Sequence, residues 1–107
     1  MSIGQFSFKK TQMAQKINLT HPTGKKAIRM DKDKYTMMEK SVLSALNSNE
    51  ELTHTELLKI ITDDFKKYKI NFEGSIEWHM EWVKLDLESK KKIRRISDKA
   101  PIKFKIS

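Results

Sequence analysis

Apolar residues recur along this chain with two different periods, and the change from one to the other marks out its elements. Ile17-Asn18-Leu19-Thr20 and Lys26-Ala27-Ile28-Arg29-Met30 alternate with period two. Between them stands His21-Pro22-Thr23-Gly24, where proline presets φ and glycine admits positive φ, so the pattern predicts a β-hairpin. Tyr35, Met38, Val42, Ala45 and Leu46 then recur at helical spacing, which predicts a helix over 33–47 with Asp31 or Asp33 as its N-cap and Asn47-Ser48-Asn49 as its end. A second helix opens on a T-x-x-E capping box, Thr53 with Glu56, with Leu52 and Leu57 at the two hydrophobic-staple positions. Leu57, Leu58, Ile61 and Phe65 form its buried stripe, and Lys66, Lys67 and Lys69 favour its C-terminal end.

After a loop around Asn71 and Gly74, a third helix is expected over 74–90. At about 100° per residue it carries two apolar faces. Ile76, Met80, Val83 and Leu87 make the core stripe, and Trp78, Trp82 and Leu85 lie nearly opposite. Between the two faces run an acidic flank of Glu77, Glu81, Lys84 and Glu88 and a polar flank of Ser75, His79 and Asp86. The chain closes with Ile93-Arg94-Arg95-Ile96, a turn at Ser97-Asp98-Lys99-Ala100-Pro101, and Ile102-Lys103-Phe104-Lys105-Ile106. Period-two alternation in the last run predicts a hairpin with one buried and one cationic face.

Size and charge narrow what such a chain does. With 107 residues and 37% hydrophobic composition it builds one modest core and has no room for a barrel or a full dinucleotide-binding sheet. No run approaches the roughly 20 apolar residues of a membrane span, and the N-terminus lacks the apolar run of a signal peptide, so a soluble, cytoplasmic protein is expected. The net charge of +8 is unevenly spread. Residues 1–40 are net +6, 41–72 net −1, 73–88 net −4 and 89–107 net +7. Residues 1–16 read as a basic N-terminal arm, with mobility as one expectation, ahead of a single domain over 17–107.

Three helices closed by a two-stranded hairpin look like the winged-helix variant of the helix-turn-helix fold. The run Val83-Lys84-Leu85-Asp86-Leu87-Glu88-Ser89-Lys90, followed by Ile93, resembles the end of the third helix of that fold and its passage into the wing. Over residues 17–107 the chain is similar to a small bacterial winged-helix-like family of unassigned function. The resemblance is carried by His21-Pro22 with Gly24, Tyr35 with Met38, Leu52-Thr53 with Glu56-Leu57, Phe72 with Gly74, Trp78, and Leu85-Asp86-Leu87-Glu88. It implies an α+β winged helix with an added N-terminal β-hairpin. Two positions depart from the pattern. Lys91 stands where a glycine is usual at the turn into the wing, and Glu81 where the third helix is expected to be basic or neutral.

Catalytic motifs are nearly absent from the sequence, and no enzyme activity, cofactor, metal or small-molecule substrate is expected. Gly4, Gly24 and Gly74 are too far apart to cradle a phosphate, and no H-E-x-x-H spacing or Ser/His/Asp order occurs. His54 reads as a solvated residue of a helix first turn and Asp63-Asp64 as an exposed helix end. His79 and Asp86 share a flank but stand two turns apart, too far to pair. The resemblance implies DNA binding. A third helix of net −4, however, is repelled by a phosphate-lined groove. Lys90, Lys91, Lys92, Arg94, Arg95, Lys99, Lys103 and Lys105 are therefore the candidate contacts to a nucleic-acid backbone, without base readout. Trp78, Trp82 and Leu85 are the alternative site. That face either meets a protein partner or a second copy in a homodimer, or is covered by Ile17, Leu19, Ile28 and Met30 of the N-terminal hairpin.

Overall fold

The computed structural model describes residues 15–25, 28–96 and 99–107. Most of the N-terminal arm, Lys26 and Ala27 of the hairpin, and Ser97-Asp98 of the second turn lie outside the described residues. Strand β1 (Lys16–Asn18) pairs antiparallel with β2 (Arg29–Asp31), setting Ile17 opposite Met30. The pairing is prolonged by Leu19 N–H to Ile28 C=O at 2.8 Å, and Gly24 takes the left-handed φ of 80° that the turn requires. Helix α1 (Lys32–Ser48) follows directly. Asp31 occupies its N-cap position, but the carboxylate caps nothing and instead takes the ammonium of Lys16 at 2.6 Å across the hairpin.

Helix α2 (His54–Lys67) begins on the expected capping box. Thr53 Oγ1 accepts from Glu56 N at 3.1 Å, and Glu56 Oε1 accepts from Thr53 N at 2.9 Å. Helix α3 spans Ile76–Ser89, with the Ser75 hydroxyl capping Trp78 N at 3.0 Å. Both α2 and α3 end in the Schellman arrangement, and in both a lysine takes the left-handed position. Lys69 has φ 54° and Lys91 φ 63°. Ile70 N donates to Phe65 O, and Lys92 N to Leu87 O, closing the two turns. The departure from glycine at Lys91 thus leaves the turn geometry unchanged, at the steric cost of a Cβ in the left-handed region.

The last two strands, β4 (Ile93–Arg95) and β5 (Lys103–Ile106), pair as expected. A third strand, β3 (Leu52–Thr53), completes a sheet in the order β3-β5-β4 by setting Leu52 opposite Phe104. Two residues are too few to show a period, so this strand is visible only once β5 lies beside it. The whole is α+β, three helices with a two-stranded and a three-stranded sheet.

Helix α3 runs through the middle. Met80, Val83 and Leu87 are fully buried against Met38 and Val42 of α1, Leu57 and Ile61 of α2, and Ile93 and Phe104 of the sheet. Leu19 and Met30 of the first hairpin join the same core. A helix packed on so many sides keeps its solvated positions mainly near its first turns, at Glu77, Trp78 and Glu81, which corrects the expected wheel. His79, Asp86 and Lys84, placed by periodicity on polar flanks, are all buried.

Candidate functional site

Three features of α3 and the second sheet are chemically distinctive, and the first is a cleft. It is open, holds about 730 Å³, and is bounded by the first turns of α2 and α3 and by the β4–β5 loop. Thr53 contributes from β3, His54 and Thr55 from α2, Glu77, Trp78, Glu81 and Lys84 from α3, and Pro101 and Ile102 from the loop. Lys84 is only 3% exposed. Its ammonium donates to Glu81 Oε1 and to His54 Nδ1, each at 3.0 Å, and lies 4.1 Å from the centre of the Phe104 ring. Because Nδ1 of His54 accepts, its proton sits on Nε2, which donates to Glu77 Oε2 at 2.9 Å. Burial lowers the pKa of Lys84, and the neighbouring Glu81 carboxylate opposes that shift without cancelling it. His54 is therefore not the lone solvated residue its place in a first turn suggests. It links α2 to two residues of α3.

The second feature is closed to solvent. The Asp86 carboxylate is fully buried and accepts from Thr20 N at 2.9 Å, Thr20 Oγ1 at 3.2 Å, Lys90 Nζ at 2.9 Å and the Tyr35 hydroxyl. Burial acts to raise its pKa. The hydrogen bonds from Lys90, Tyr35 and Thr20 outweigh burial and hold the group below the usual carboxylate range. Burial and the adjacent Asp86 push the Tyr35 phenol well upward. The first hairpin, α1 and α3 are thereby tied at one point. His79, the other member of the expected flank, takes no part: Nδ1 donates to Ser75 O at 2.7 Å and the ring packs edge-on to Phe72.

The third feature is the outer face of the three-stranded sheet. Register sets Ile93, Arg95, Phe104 and Ile106 on the inner side and Arg94, Lys103 and Lys105 on the outer. The eight candidate cations fall into unlike groups. Lys90, Lys92, Arg95 and Lys103 are each taken by a carboxylate, those of Asp86, Glu39, Glu88 and Glu51. Lys91, Arg94 and Lys105 form no ion pair among the described residues, and Lys99 is exposed beside the turn. Arg94 and Lys105 are direct cross-strand partners, an opposition of like charges that costs stability.

The apolar face expected on α3 is divided. Leu85 is buried and Trp82 half-buried, with His21 of the first hairpin edge-on at 6.4 Å. Trp78 stays 46% exposed in the cleft. Cover by the first hairpin therefore reaches Trp82 but not Trp78. The His54–Lys84 contact and the Asp86 contacts to Thr20 and Tyr35 have no sequence signature, because each joins residues 30 or more positions apart. The available hints are Asp86 itself, an acid set between Leu85 and Leu87, and Lys90 one helical turn after it.

The chain belongs to DUF6958, a family of unknown function whose family model matches residues 16–104. No curated protein and no solved structure matches it significantly. No helix among the described residues is long and apolar enough to cross a membrane.

Proposed function

We propose that the protein is a winged-helix module, of the bacterial helix-turn-helix type, that binds the backbone of nucleic acid on the outer face of its C-terminal sheet. It acts as a non-enzymatic, cytoplasmic binding protein with little base specificity. The order of three helices followed by a two-stranded hairpin supports the fold assignment. The opposed pair Arg94 and Lys105, which no carboxylate among the described residues neutralises, carries the functional one, because a phosphate between them relieves their repulsion. Lys91 adds a third cation without an ion pair among the described residues. The exposed residues of α3 argue against base readout, since its cleft-lining surface offers Glu77, Trp78 and Glu81 rather than basic or amide side chains.

Salt dependence tests this reading with a number. Three phosphate contacts give a slope of about −2.7 in log affinity against log salt, so binding to a random duplex weakens about 40-fold from 50 to 200 mM salt. The eight contacts suggested by the sequence alone correspond to a loss of about 10⁴-fold over the same range. Anisotropy titration of a labelled 20-base-pair duplex reads the slope. The double variant Arg94→Ala, Lys105→Ala reduces it to about −0.9 and weakens all sequences alike. Affinity weaker than millimolar at 50 mM salt, or a flat salt response, overturns the proposal.

A further inference from the structure

We infer that the cleft between α2, α3 and the β4–β5 loop is a docking site for a cationic side chain, an arginine presented by a basic segment of a partner protein. This goes beyond the nucleic-acid reading and uses a different surface, one that presents the carboxylates of Glu77 and Glu81. The indole of Trp78 is exposed in the cleft, and Ala100, Pro101 and Ile102 add apolar lining suited to the methylene stem of a long side chain. Glu77 and Glu81 supply the charge. Each uses one oxygen on His54 or Lys84, while Glu77 Oε1 and Glu81 Oε2 accept no hydrogen bond from the described residues. An ionised carboxylate has roughly four acceptor positions, so both retain capacity for a guanidinium.

Electrostatics favour the same occupant. The lining holds two acids, Glu77 and Glu81, and two cations, Lys84 and Arg95, but Lys84 is buried and Arg95 is held by Glu88 at 2.7 Å, so the carboxylates of Glu77 and Glu81 are the accessible charge beside Trp78. Lys84 is buried beneath its partners, so an incoming cation meets carboxylate oxygens and the indole before it meets the ammonium. A polyanion is repelled here, and a neutral apolar peptide leaves the two free oxygens desolvated. A guanidinium over the indole face, with its fork on carboxylates, satisfies both.

The test is an NMR titration with a capped hexapeptide of alternating Arg and Gly, against the same peptide with neutral citrulline in place of Arg. The Trp78 indole N–H signal shifts saturably with the Arg peptide while that of Trp82 stays in place. Citrulline binds at least about tenfold more weakly. Trp78→Ala reduces Arg-peptide affinity about five- to tenfold and Trp78→Phe less. Glu77→Gln, which leaves the Glu81–Lys84 contact intact, reduces it about fivefold. Arg94→Ala with Lys105→Ala leaves it unchanged, which separates this site from the sheet face. Equal binding of the citrulline peptide, an unmoved Trp78 signal, or Arg-peptide affinity indifferent to Glu77→Gln overturns the inference.

Discussion

Lys84 and Asp86 stand two residues apart on α3, both buried and both charged, yet their surroundings differ. Asp86 receives donors from three separate elements, and its hydrogen bonds outweigh the loss of water. Lys84 has two polar partners and an aromatic face, and burial outweighs them. The anion is a fastening point and the cation a tolerated cost. What separates them is the number and geometry of compensating groups, since depth of burial is similar.

Replacing each residue tests that contrast, and the largest effect belongs to Asp86. Asp86→Ala leaves the Tyr35 hydroxyl, Thr20 N–H and Lys90 ammonium without their acceptor, for an expected loss of about 3–5 kcal/mol in urea unfolding. A loss under about 1 kcal/mol breaks the comparison. Lys84→Met is expected to change stability at pH 7 by less than about 1 kcal/mol or to raise it, since it removes a buried charge that its partners do not fully offset. A loss as large as that of Asp86→Ala puts the two residues in one class.

Stability against pH sharpens the same point. The folded pKa of Asp86 is depressed, so the unfolded chain binds more protons at low pH. Its contribution is present above about pH 4, the usual unfolded aspartate value, and is lost as pH falls further through the folded pKa. Lys84 is also depressed, so the unfolded chain again binds the extra proton. Its cost fades as pH rises toward about 10.4. Tyr35 is raised, so the unfolded phenol ionises first and stability falls above about pH 10. Tyr35→Phe abolishes that alkaline fall, and Lys84→Met the gradual rise before it.

The smallest expected effect lies at the helix ends. Lys91→Gly relieves a left-handed side chain at some cost in unfolded-state entropy, for a gain of up to about 1 kcal/mol, and Lys69→Gly matches it. Only Lys91→Gly also lowers the salt slope of duplex binding, by about 0.9. Equal effects of the two variants on that slope remove Lys91 from the proposed footprint.

Much of the backbone was legible because its signals are local. The hairpin turn at Gly24, the capping box of Thr53 and Glu56, the core stripe of α3 and the alternation of β5 each span a few residues. The distinctive sites were not. Among the described residues Lys92, Arg95 and Lys103 are paired with acids from α1, α3 and the β3 approach at least seven positions away, which no count along the chain reveals. His54 and Lys84 read as polar surface positions on their own helices, whereas the partial burial of His54 and the full burial of Lys84 come from the packing between helices.

The sequence by itself determined the order and type of the main elements, the cationic face of the last hairpin and the acidic character of α3, since propensity, period and charge are local quantities. Only the tertiary structure decided which charges remain free. Wrapping α3 on several sides spent Asp86 on a fastening and buried Lys84. It also left Trp78, Glu77 and Glu81 at a cleft, because packing direction sets solvent access and periodicity does not.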